Sequence, residues 1–589
     1  MSENVSAVME AEKPEPIRGP GSCDDDDNNK SDVNLHEKQP IAASADNTQE
    51  QTELHQALTH SPTENDDGDD GGQAHLQPTT TSTYIAATLS LPHEILFVAV
   101  ICCAQLTTQA GLAQTLSIIS IIGDHFGLSK PGDLSWFVAA YGLTVGTFIL
   151  VSGRLGDLFG HKRMLVIGYL WFALWTAVAG LAVFSESSSV IMFDVARALQ
   201  GIGPSILIPN ALAILGSSYP PGPRKNMVFA IFGAMAPGGG VLGSTFAALF
   251  ALAWWPWAFW SLSITLVLLA GLSIVVVPSP SPSPVGHGQP SQDHAAGFWA
   301  KLKRVDLAGA AVGVTALVLI NIAWNQAPIV GWRTPYTYVL LIIGLLLLPV
   351  FFYIELNLTP YPLIPLKSLK NPSSIAFVLG CLACGWGTFG IWLLYLWQFH
   401  LQLREASPLL ASAYISPVAI TGALAAIATG YLLGRMGPAW TMVVAMSAFV
   451  TGISLVATMP IDQTYWGQAF VCVLVTVWGM DMSFPASTVI LSNAVGKGDQ
   501  GVAASLVNTI VNYSISLALG FAGTAEANVN KGGTTKEDVL RGLRAALYVG
   551  VGLAGFGWVL SLVFLWFDYR GRSQSKKEDG ENGELSSSS

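Results

Sequence analysis

Long apolar segments, each bounded by glycine, proline or charged residues, follow one another along most of the chain. Each has about 20 residues, the length that a helix needs to cross the hydrocarbon core of a bilayer. The pattern predicts fourteen transmembrane helices near residues 95–118, 134–151, 164–184, 190–212, 227–250, 255–277, 307–324, 336–356, 375–399, 409–433, 440–459, 465–491, 501–522 and 545–567. The predicted fold class is therefore an all-α integral membrane protein.

The composition agrees with this pattern. Of the 589 residues, 51% are hydrophobic and 11% are charged, whereas soluble domains carry about 25% charged residues. Much of the acid behind the net charge of -11 lies ahead of the first apolar segment, among serine, threonine, asparagine, glutamine and glycine. The apolar spans exclude a soluble binding module and a nucleic-acid-binding protein.

The positive charges predict how the chain crosses the membrane. An even number of spans places both termini on one side, and the loops on that side are the richer in lysine and arginine. These residues include Arg154, Lys162, Arg163, Arg224, Lys225, Lys301, Lys303, Arg304, Lys367, Lys370, Arg435 and Lys497. Because basic residues are retained in the cytoplasm, both termini are expected to be cytoplasmic.

Composition also divides the chain into segments. The acidic residues 1–90 and the Ser/Glu/Lys-rich residues 569–589 are expected to be disordered cytoplasmic tails. Pro-Ser repeats mark 278–305 as a cytoplasmic linker. Between these segments we predict a six-helix bundle over 91–277, an inserted helix pair over 306–357 and a second six-helix bundle over 371–568.

Two short motifs recur in the same order in the two predicted bundles. "GRLGDLFG" at 153–160 is echoed by "GYLLGRMG" at 430–437, in each case between the second and third helices of a bundle. "IPNA" at 208–211 and "LSNA" at 491–494 are each predicted to end the fourth helix. The shared order indicates two halves related by a parallel repeat, an architecture that places substrate sites near the membrane midplane.

The first of these motifs is expected to form a breakable latch between the bundles. Gly153 and Gly160 permit a tight turn and close helix packing. Asp157 can pair with Arg154 or with a neighbouring helix, and Arg163 helps to hold the loop in the cytoplasm. The alternative is a simple topological anchor.

Three motifs resemble the signatures of the major facilitator superfamily. "GRLGDLFGHKR" is similar to its cytoplasmic loop signature, although Leu158 and His161 stand where basic residues are common. "RALQGIG", from Arg197 to Gly203, resembles the Arg-x-x-Gln-Gly-x-Gly signature. "GAMAPGGGVLG" resembles the antiporter motif, whose kink is assigned here to Gly233, Pro237, Gly239 and Gly240, with Ala236 in place of a glycine.

The resemblance covers about residues 91–567 and implies the major facilitator fold of two six-helix bundles, here with two inserted helices. It points to the fungal fourteen-helix drug:proton antiporter group, nearest to exporters that confer aminotriazole and boron resistance, and it extends to low-affinity ammonium transporters. The antiporter motif implies export in exchange for protons.

Ionisable residues inside predicted spans are the candidates for proton coupling, because such groups are costly in the membrane and usually mark ion or substrate paths. Asp194 and Arg197 lie three residues apart and share a helix face, and Asp481 is a second buried carboxylate. No acidic residue lies between 95 and 122. The alternative for Asp194 and Arg197 is a static ion pair.

Polar and aromatic residues inside the spans are the candidates for a substrate cavity. They are Gln109, Gln200, Trp386, Trp392, Asn508 and Asn512, with helix packing as the alternative. Cys381 and Cys384 form a CxxC in an apolar helix without partner ligands, so they are interpreted as packing residues, and no metal or cofactor is expected.

The sequence therefore favours a secondary transporter that exports a small toxic or drug-like compound in exchange for protons. Low-affinity uptake of a small cation such as ammonium is the first alternative, and a non-transporting membrane sensor is the second. An enzyme is not expected, because no catalytic cluster is visible. The expected setting is a monomer in the plasma membrane, with the vacuolar membrane as the alternative, in contact with lipid, protons and a small-molecule substrate.

Overall fold

The computed structural model describes residues 84–128, 133–185, 189–220, 222–278, 306–359, 362–363, 372–494, 500–530, 533 and 535–587. Nearly all of the predicted tail at 1–90 and of the predicted linker at 278–305 lies outside these residues. None of the described residues forms a β-strand.

The described part of the chain contains fourteen helices that are long and apolar enough to cross a membrane, as predicted. We label them α1 to α14 in chain order: Leu91–Ser117, Asp133–Phe159, His161–Phe184, Val190–Ser218, Met227–Ala251, Pro256–Val276, Leu307–Val330, Pro335–Leu358, Ser373–Leu403, Pro408–Met436, Pro438–Ala457, Gln468–Ala494, Ala504–Val529 and Lys536–Arg570. Two short helices, Ile85–Thr88 and Ile119–His125, flank α1.

Proline and capping residues begin many of these helices. α6, α8, α10 and α11 each start with proline, whose missing N–H is not needed in the first turn. Asp306 caps α7 by accepting a hydrogen bond from the Gly309 N–H at 2.8 Å, and Ser407 caps α10 in the same way through Leu410. Local sequence thus fixes where several spans begin.

The packing of the helices repeats between the two halves of the chain. In the first half α1 packs on α5, α2 on α4, α3 on α4 and α3 on α6. In the second half α9 packs on α13, α10 on α12, α11 on α12 and α11 on α14. Each helix from α1 to α6 therefore has a counterpart eight helices later, which is the parallel repeat of six-helix bundles that the motifs predicted.

The two bundles meet along two pairs of helices, α2 with α13 and α5 with α10. Small residues bring these helices together: a methyl group on Gly146 of α2 would lie 2.7 Å from the backbone nitrogen of Tyr513 in α13. The repeat relates the two contacts to each other, because α2 corresponds to α10 and α5 to α13.

The inserted pair, α7 and α8, is tied to both bundles through α7. α7 packs on α13 and on α2, and the Tyr513 hydroxyl donates to the Leu317 carbonyl at 3.0 Å. Ser516 of α13 donates to the Ala139 carbonyl of α2 at 2.7 Å and lies 3.0 Å from the Asn321 side-chain oxygen. Buried polar groups therefore join α2, α7 and α13 at one point.

The chain after Asp568 differs from the expected disordered tail, because the last helix continues to Ser587. Residues 571–587 contain no proline and several good helix formers, lysine, glutamate and glutamine.

The observed end of α4 also differs from the predicted end at residue 212. "IPNA" lies inside α4, which continues to Ser218, because the apolar pattern runs on past it.

Candidate functional site

The connection between α2 and α3 is a single residue. α2 ends at Phe159 and α3 begins at His161, and Gly160 between them has φ +96°, a conformation that favours glycine. Gly437 has the equivalent place between α10 and α11, with φ +81°. The expectation that 153–160 forms a loop is therefore corrected: Gly153 and Asp157 lie in α2, whose leucine and arginine residues favour continued helix.

The partner of Asp157 is His161 and not Arg154. Asp157 Oδ1 lies 3.6 Å from His161 Nε2. The other ring nitrogen of His161 lies 2.9 Å from the Asn210 side-chain oxygen in α4. Asp157, His161 and Asn210 thus link α2, α3 and α4. The sequence marked His161 only as a departure from the family pattern and Asn210 only as part of a repeated motif.

The other predicted latch residues lie around this link. Gly153 faces α13, where its added methyl group would lie 3.3 Å from the Ser505 hydroxyl oxygen. Arg163 is exposed, whereas Lys162 reaches the Ile274 carbonyl at the end of α6. The α2–α3 connection is therefore held against α4, α6 and α13.

Arg197 lies fully buried in the first bundle and bonds to backbone rather than to an acid. Its guanidinium donates to the Phe137 carbonyl of α2 at 2.9 Å and to the Gly111 carbonyl of α1 at 3.0 Å. It also donates to the Gln200 side-chain oxygen at 2.5 Å and stacks over Tyr141. Arg197 therefore joins α1, α2 and α4.

Asp194 forms no ion pair with Arg197 in the described part of the chain, so the alternative of a static pair is not observed. Its Oδ1 atom is buried and accepts no hydrogen bond from a described residue. The i, i+3 spacing places both residues on similar faces, but the Arg197 side chain turns towards the carbonyls of α1 and α2. Asp194 stays a candidate for proton coupling.

Gln200 is fully buried, and both ends of its amide are occupied. Its oxygen accepts from Arg197, and its nitrogen donates to the Thr176 hydroxyl at 2.7 Å. A methyl group on Gly203, in the same motif, would lie 2.8 Å from Cα of Phe172 in α3. This motif therefore packs α4 against α2 and α3, and the geometry favours a packing role for Gln200 over substrate contact.

The antiporter motif packs α5 against both bundles. Gly239 and Gly243 face α1 so closely that added methyl groups would lie 2.9 Å from the Leu106 carbonyl carbon and 2.8 Å from that of Ala110. Gly233 and Gly240 have no neighbour within 4 Å of an added methyl group. Helix α5 is continuous through Pro237, which is buried at the contact with α10.

Asp481 lies at this contact between the bundles. A methyl group on Gly422 of α10 would lie 2.7 Å from Pro237 Cγ in α5 and 3.2 Å from Asp481 Oδ2 in α12. The Oδ2 atom is buried and accepts no hydrogen bond from a described residue. We call Pro237, Gly422 and Asp481 the α5–α10–α12 junction. No pattern in the sequence predicted that the antiporter motif and this carboxylate meet.

The remaining cavity candidates lie in different surroundings. Trp386 of α9 is half-buried and donates to the Ser483 hydroxyl of α12 at 3.1 Å, whereas Trp392 is 1% exposed and packs in the core. The Asn508 and Asn512 amides donate back to carbonyls of their own helix, at 2.9 and 3.0 Å. Gln109 is half-buried on α1. Of these residues, Gln109, Trp386 and Asn512 are half-buried, whereas Trp392 and Asn508 are buried.

Glu94 and Glu526 are further buried carboxylates, which the sequence analysis missed because the predicted spans were too short. Glu94, in the first turn of α1, accepts from Tyr219 at 2.9 Å and pairs with Arg224. Glu526 of α13 accepts from the Tyr395 hydroxyl of α9 at 2.7 Å. The predicted spans began at 95 and ended at 522, so both acids were placed in loops.

At the start of α14 a salt bridge lies outside the core. Lys536 Nζ lies 2.5 Å from Glu405 Oε1. The hydrogen bond and the positive charge of Lys536 hold the pKa of Glu405 below its usual value. Both side chains are exposed, so the bridge contributes little to stability.

Comparisons with known proteins agree with this architecture. Residues 100–520 match the family model of the Major Facilitator Superfamily. The "Low affinity ammonium transporter" of Saccharomyces cerevisiae is 51% identical, over 84% of this chain and 92% of that protein. "Efflux pump terJ" of Aspergillus terreus is 47% identical, over 82% of this chain and 90% of that protein.

The "Aminotriazole resistance protein" of Saccharomyces cerevisiae is 38% identical, over 80% of this chain and 84% of that protein. The resemblance to fungal resistance exporters and to ammonium transporters is therefore confirmed. With the fourteen helices and the repeated packing, these matches establish the class of the protein. The chain belongs to the major facilitator superfamily, and it is a multi-pass membrane transporter rather than an enzyme.

Proposed function

We propose that this transporter exports a small toxic compound across the plasma membrane in exchange for protons, as a monomer with both termini in the cytoplasm. The names of the relatives support export, since one is an efflux pump and another a resistance protein. The positive charges of the loops support the orientation.

The observation that carries the proton coupling is the position of Asp481. Its carboxyl group lies inside a membrane helix, at the contact between α5, α10 and α12, where the buried Oδ2 atom accepts no hydrogen bond from any described residue. A carboxylate without a partner is costly there, so Asp481 is stable when it holds a proton or a bound cation. Exchange between these states links proton movement to the contact that the two bundles make.

Asp194 and the α2–α3 connection have supporting roles in this proposal. Asp194 is a second carboxyl group without a described partner for Oδ1, so it is a second place for a proton. The link through Asp157, His161 and Asn210 joins three helices of the first bundle next to the α2–α13 contact, so it positions the end of α2 that packs on the second bundle.

Low-affinity uptake of a small cation is the second candidate function. It is favoured by the 51% identity to a low-affinity ammonium transporter. The same carboxyl groups suit this function, because an acid without a cationic partner attracts a positively charged substrate.

The test is accumulation of boric acid, aminotriazole and methylammonium in cells with and without the protein, repeated after collapse of the proton gradient. Proton-driven export predicts lower accumulation, which rises when the gradient collapses. Higher accumulation of methylammonium would support uptake and contradict export. An effect that is insensitive to the gradient would contradict proton coupling.

A further inference from the structure

Two buried glutamates each accept a hydrogen bond from a tyrosine, but they differ in whether a cation pairs with them. Glu94 of α1 accepts from the Tyr219 hydroxyl at 2.9 Å and pairs with Arg224. Glu526 of α13 accepts from the Tyr395 hydroxyl of α9 at 2.7 Å. No lysine or arginine among the described residues pairs with Glu526. Each glutamate is 6% exposed, so the two sites differ in charge compensation and not in burial.

The helices packed on α13 are α2, α7, α9, α12 and α14. Glu526 lies one turn before the end of α13, on the side that the proposed orientation places outside the cell. Towards that side α2 carries only Asp133, α7 contains no charged residue, and the single charged residue of α12 is Asp481, at its middle. These three helices therefore supply no cation for Glu526.

The titratable groups at the outer ends of α9 and α14 have other surroundings. Arg404 donates to the carbonyls of Pro460 and Ile461, Arg544 donates to the Met459 carbonyl, Lys536 pairs with Glu405, Asp538 accepts from Thr535, Arg541 and Glu537 are exposed, and the ring nitrogens of the buried His400 have no described partner. Within the described part of the chain, the negative charge of Glu526 is thus stabilised by the Tyr395 hydroxyl alone.

A buried carboxylate that lacks a cation is costly in its charged form, because burial removes water from the charge. Protonation removes this cost, but the new O–H group then needs an acceptor of its own. A site that exchanges a proton must satisfy both forms of the acid. Tyr395 serves the charged form of Glu526, since its hydroxyl donates to the carboxylate.

An acceptor for the protonated form lies one helical turn away. Asn530 follows Glu526 by four residues, a spacing that places both side chains on one helix face. Asn530 Oδ1 is buried and accepts no hydrogen bond from a described residue. Both side chains pack against Gly542 of α14, where an added methyl group would lie 3.2 Å from Glu526 Cγ and 3.3 Å from Asn530 Cγ. The protonated carboxyl group can therefore donate to Asn530 Oδ1.

The repeat of the two bundles shows that helix packing does not require this acid. Helix α5 is the counterpart of α13, and it packs on α1 as α13 packs on α9. The sequence of α5 contains no aspartate or glutamate. A carboxyl group is thus dispensable for this kind of contact, and Glu526 is a feature of the second bundle alone.

We propose that Glu526 is a proton-binding site at the outer end of the second bundle, with Tyr395 holding its charged form and Asn530 its protonated form. A proton from the outer side adds to a carboxylate oxygen and leaves from the same group when it is released. The inference rests on the proposed proton exchange and adds a third site to Asp481 and Asp194. Tyr395 and Asn530 are positioning residues, because they act through the carboxyl group of Glu526.

The test is infrared difference spectroscopy of the purified full-length protein during a pH titration, which detects the C=O band of a protonated carboxylic acid. The wild-type protein shows a titrating band that is lost in Glu526→Gln. Glu94→Gln is the matched control, since Glu94 has the same burial and a tyrosine donor but is held in its charged form by Arg224. The control keeps the band.

Two neutral substitutions separate a proton site from a static hydrogen bond. Tyr395→Phe removes the donor to the charged form, so the band persists to a pH about one unit higher. Asn530→Ala removes the acceptor of the protonated form, so the band disappears at a lower pH. Opposite displacements are specific to a site that satisfies both forms. These variants also report on the site when Glu526→Gln fails to fold, which size-exclusion elution and Tm reveal.

The transport role is measured by export rates at a series of external pH values. Export by Glu526→Gln loses its dependence on external pH over the range in which the band titrates. The wild-type dependence in this variant overturns the transport role of Glu526. Titrating bands that all persist in Glu526→Gln, or displacements in the same direction in Tyr395→Phe and Asn530→Ala, overturn the proton site.

The infrared titration needs neither substrate nor gradient, so it is independent of the proposed export. Gradient-driven export by a protein without the Glu526 band would overturn this inference alone. The Glu526 band in a protein whose transport ignores the proton gradient would overturn the proposed function and leave the proton site in place.

Discussion

The fourth helices of the two bundles, α4 and α12, occupy corresponding places. They differ in whether their central charged side chain has hydrogen-bond partners. In α4 the buried cation Arg197 has hydrogen bonds to α1, α2 and Gln200. In α12 the acid Asp481 lies beside Pro237 and Gly422, with no donor to its Oδ2 atom among the described residues. The comparison indicates that the cation of α4 holds one bundle together, whereas the acid of α12, like Asp194 of α4, is left for an exchangeable partner.

The largest effect that separates the two helices is expected on stability. Arg197→Met leaves the carbonyls of Phe137 and Gly111 and the amide of Gln200 without their charged donor, at about 3 kcal/mol or more in total. We expect a clear fall in the Tm of the purified protein and a low yield. Asp481→Asn removes no donor or acceptor that is in use, so it should keep the wild-type Tm. Equal Tm values for the wild type, Arg197→Met and Asp481→Asn would contradict the expected difference between α4 and α12.

An intermediate effect is expected at the α2–α3 connection, which differs between the bundles. Both copies turn at a glycine with positive φ, Gly160 and Gly437, but Asp157 and His161 have no counterparts in the second copy, where Gly434 and Pro438 stand. Asp157→Asn should slow transport by several fold while substrate affinity changes little, because the link holds the end of α2 that packs on α13 of the other bundle.

The matched control for this prediction is Gly434→Asp, which adds an acid at the equivalent place in the second bundle. It creates no link, because no histidine follows at the equivalent position. Initial transport rates over a range of substrate concentrations separate turnover from affinity. Unchanged turnover in Asp157→Asn would mean that the connection is only an anchor.

The smallest effect is expected at the exposed bridge between Glu405 and Lys536. The pKa of Glu405 is lowered in the folded protein, so its stabilising contribution is present above the unfolded pKa and is lost as the pH falls through the folded pKa. Glu405→Gln should lower Tm slightly at neutral pH and not at all in acid below both pKa values. A Tm difference that grows in acid would contradict this sign.

Local sequence was sufficient for the fold and for part of the site. The length of the apolar segments predicted the fourteen spans, and the repeated glycine motifs predicted the two parallel halves. A turn was correctly expected at Gly160. These features depend on residues close together in the chain. The extension of α2 through Asp157 was not predicted, because the charged residues Arg154 and Asp157 indicated a loop. The leucine and arginine residues beside Asp157 nevertheless favour helix.

The contacts that define the junction could not be predicted from one sequence. Pro237, Gly422 and Asp481 lie on three helices far apart in the chain, and helical periodicity does not say which faces meet. Likewise, Gln200, Asn508 and Asn512 were reasonable cavity residues by type, but their amides bond inside the first bundle or to their own helix. Only the packing distinguishes polar groups in use from polar groups left free.

Proton coupling through Asp481 is tested by measuring proton movement that substrate drives in liposomes containing the purified protein. An outward or inward gradient of methylammonium or boric acid should move protons in the opposite direction across wild-type liposomes, detected by an internal pH dye. Asp481→Asn should abolish this proton movement while the protein stays folded and inserted. Proton movement at the wild-type rate in Asp481→Asn would show that this carboxyl group does not couple protons to transport.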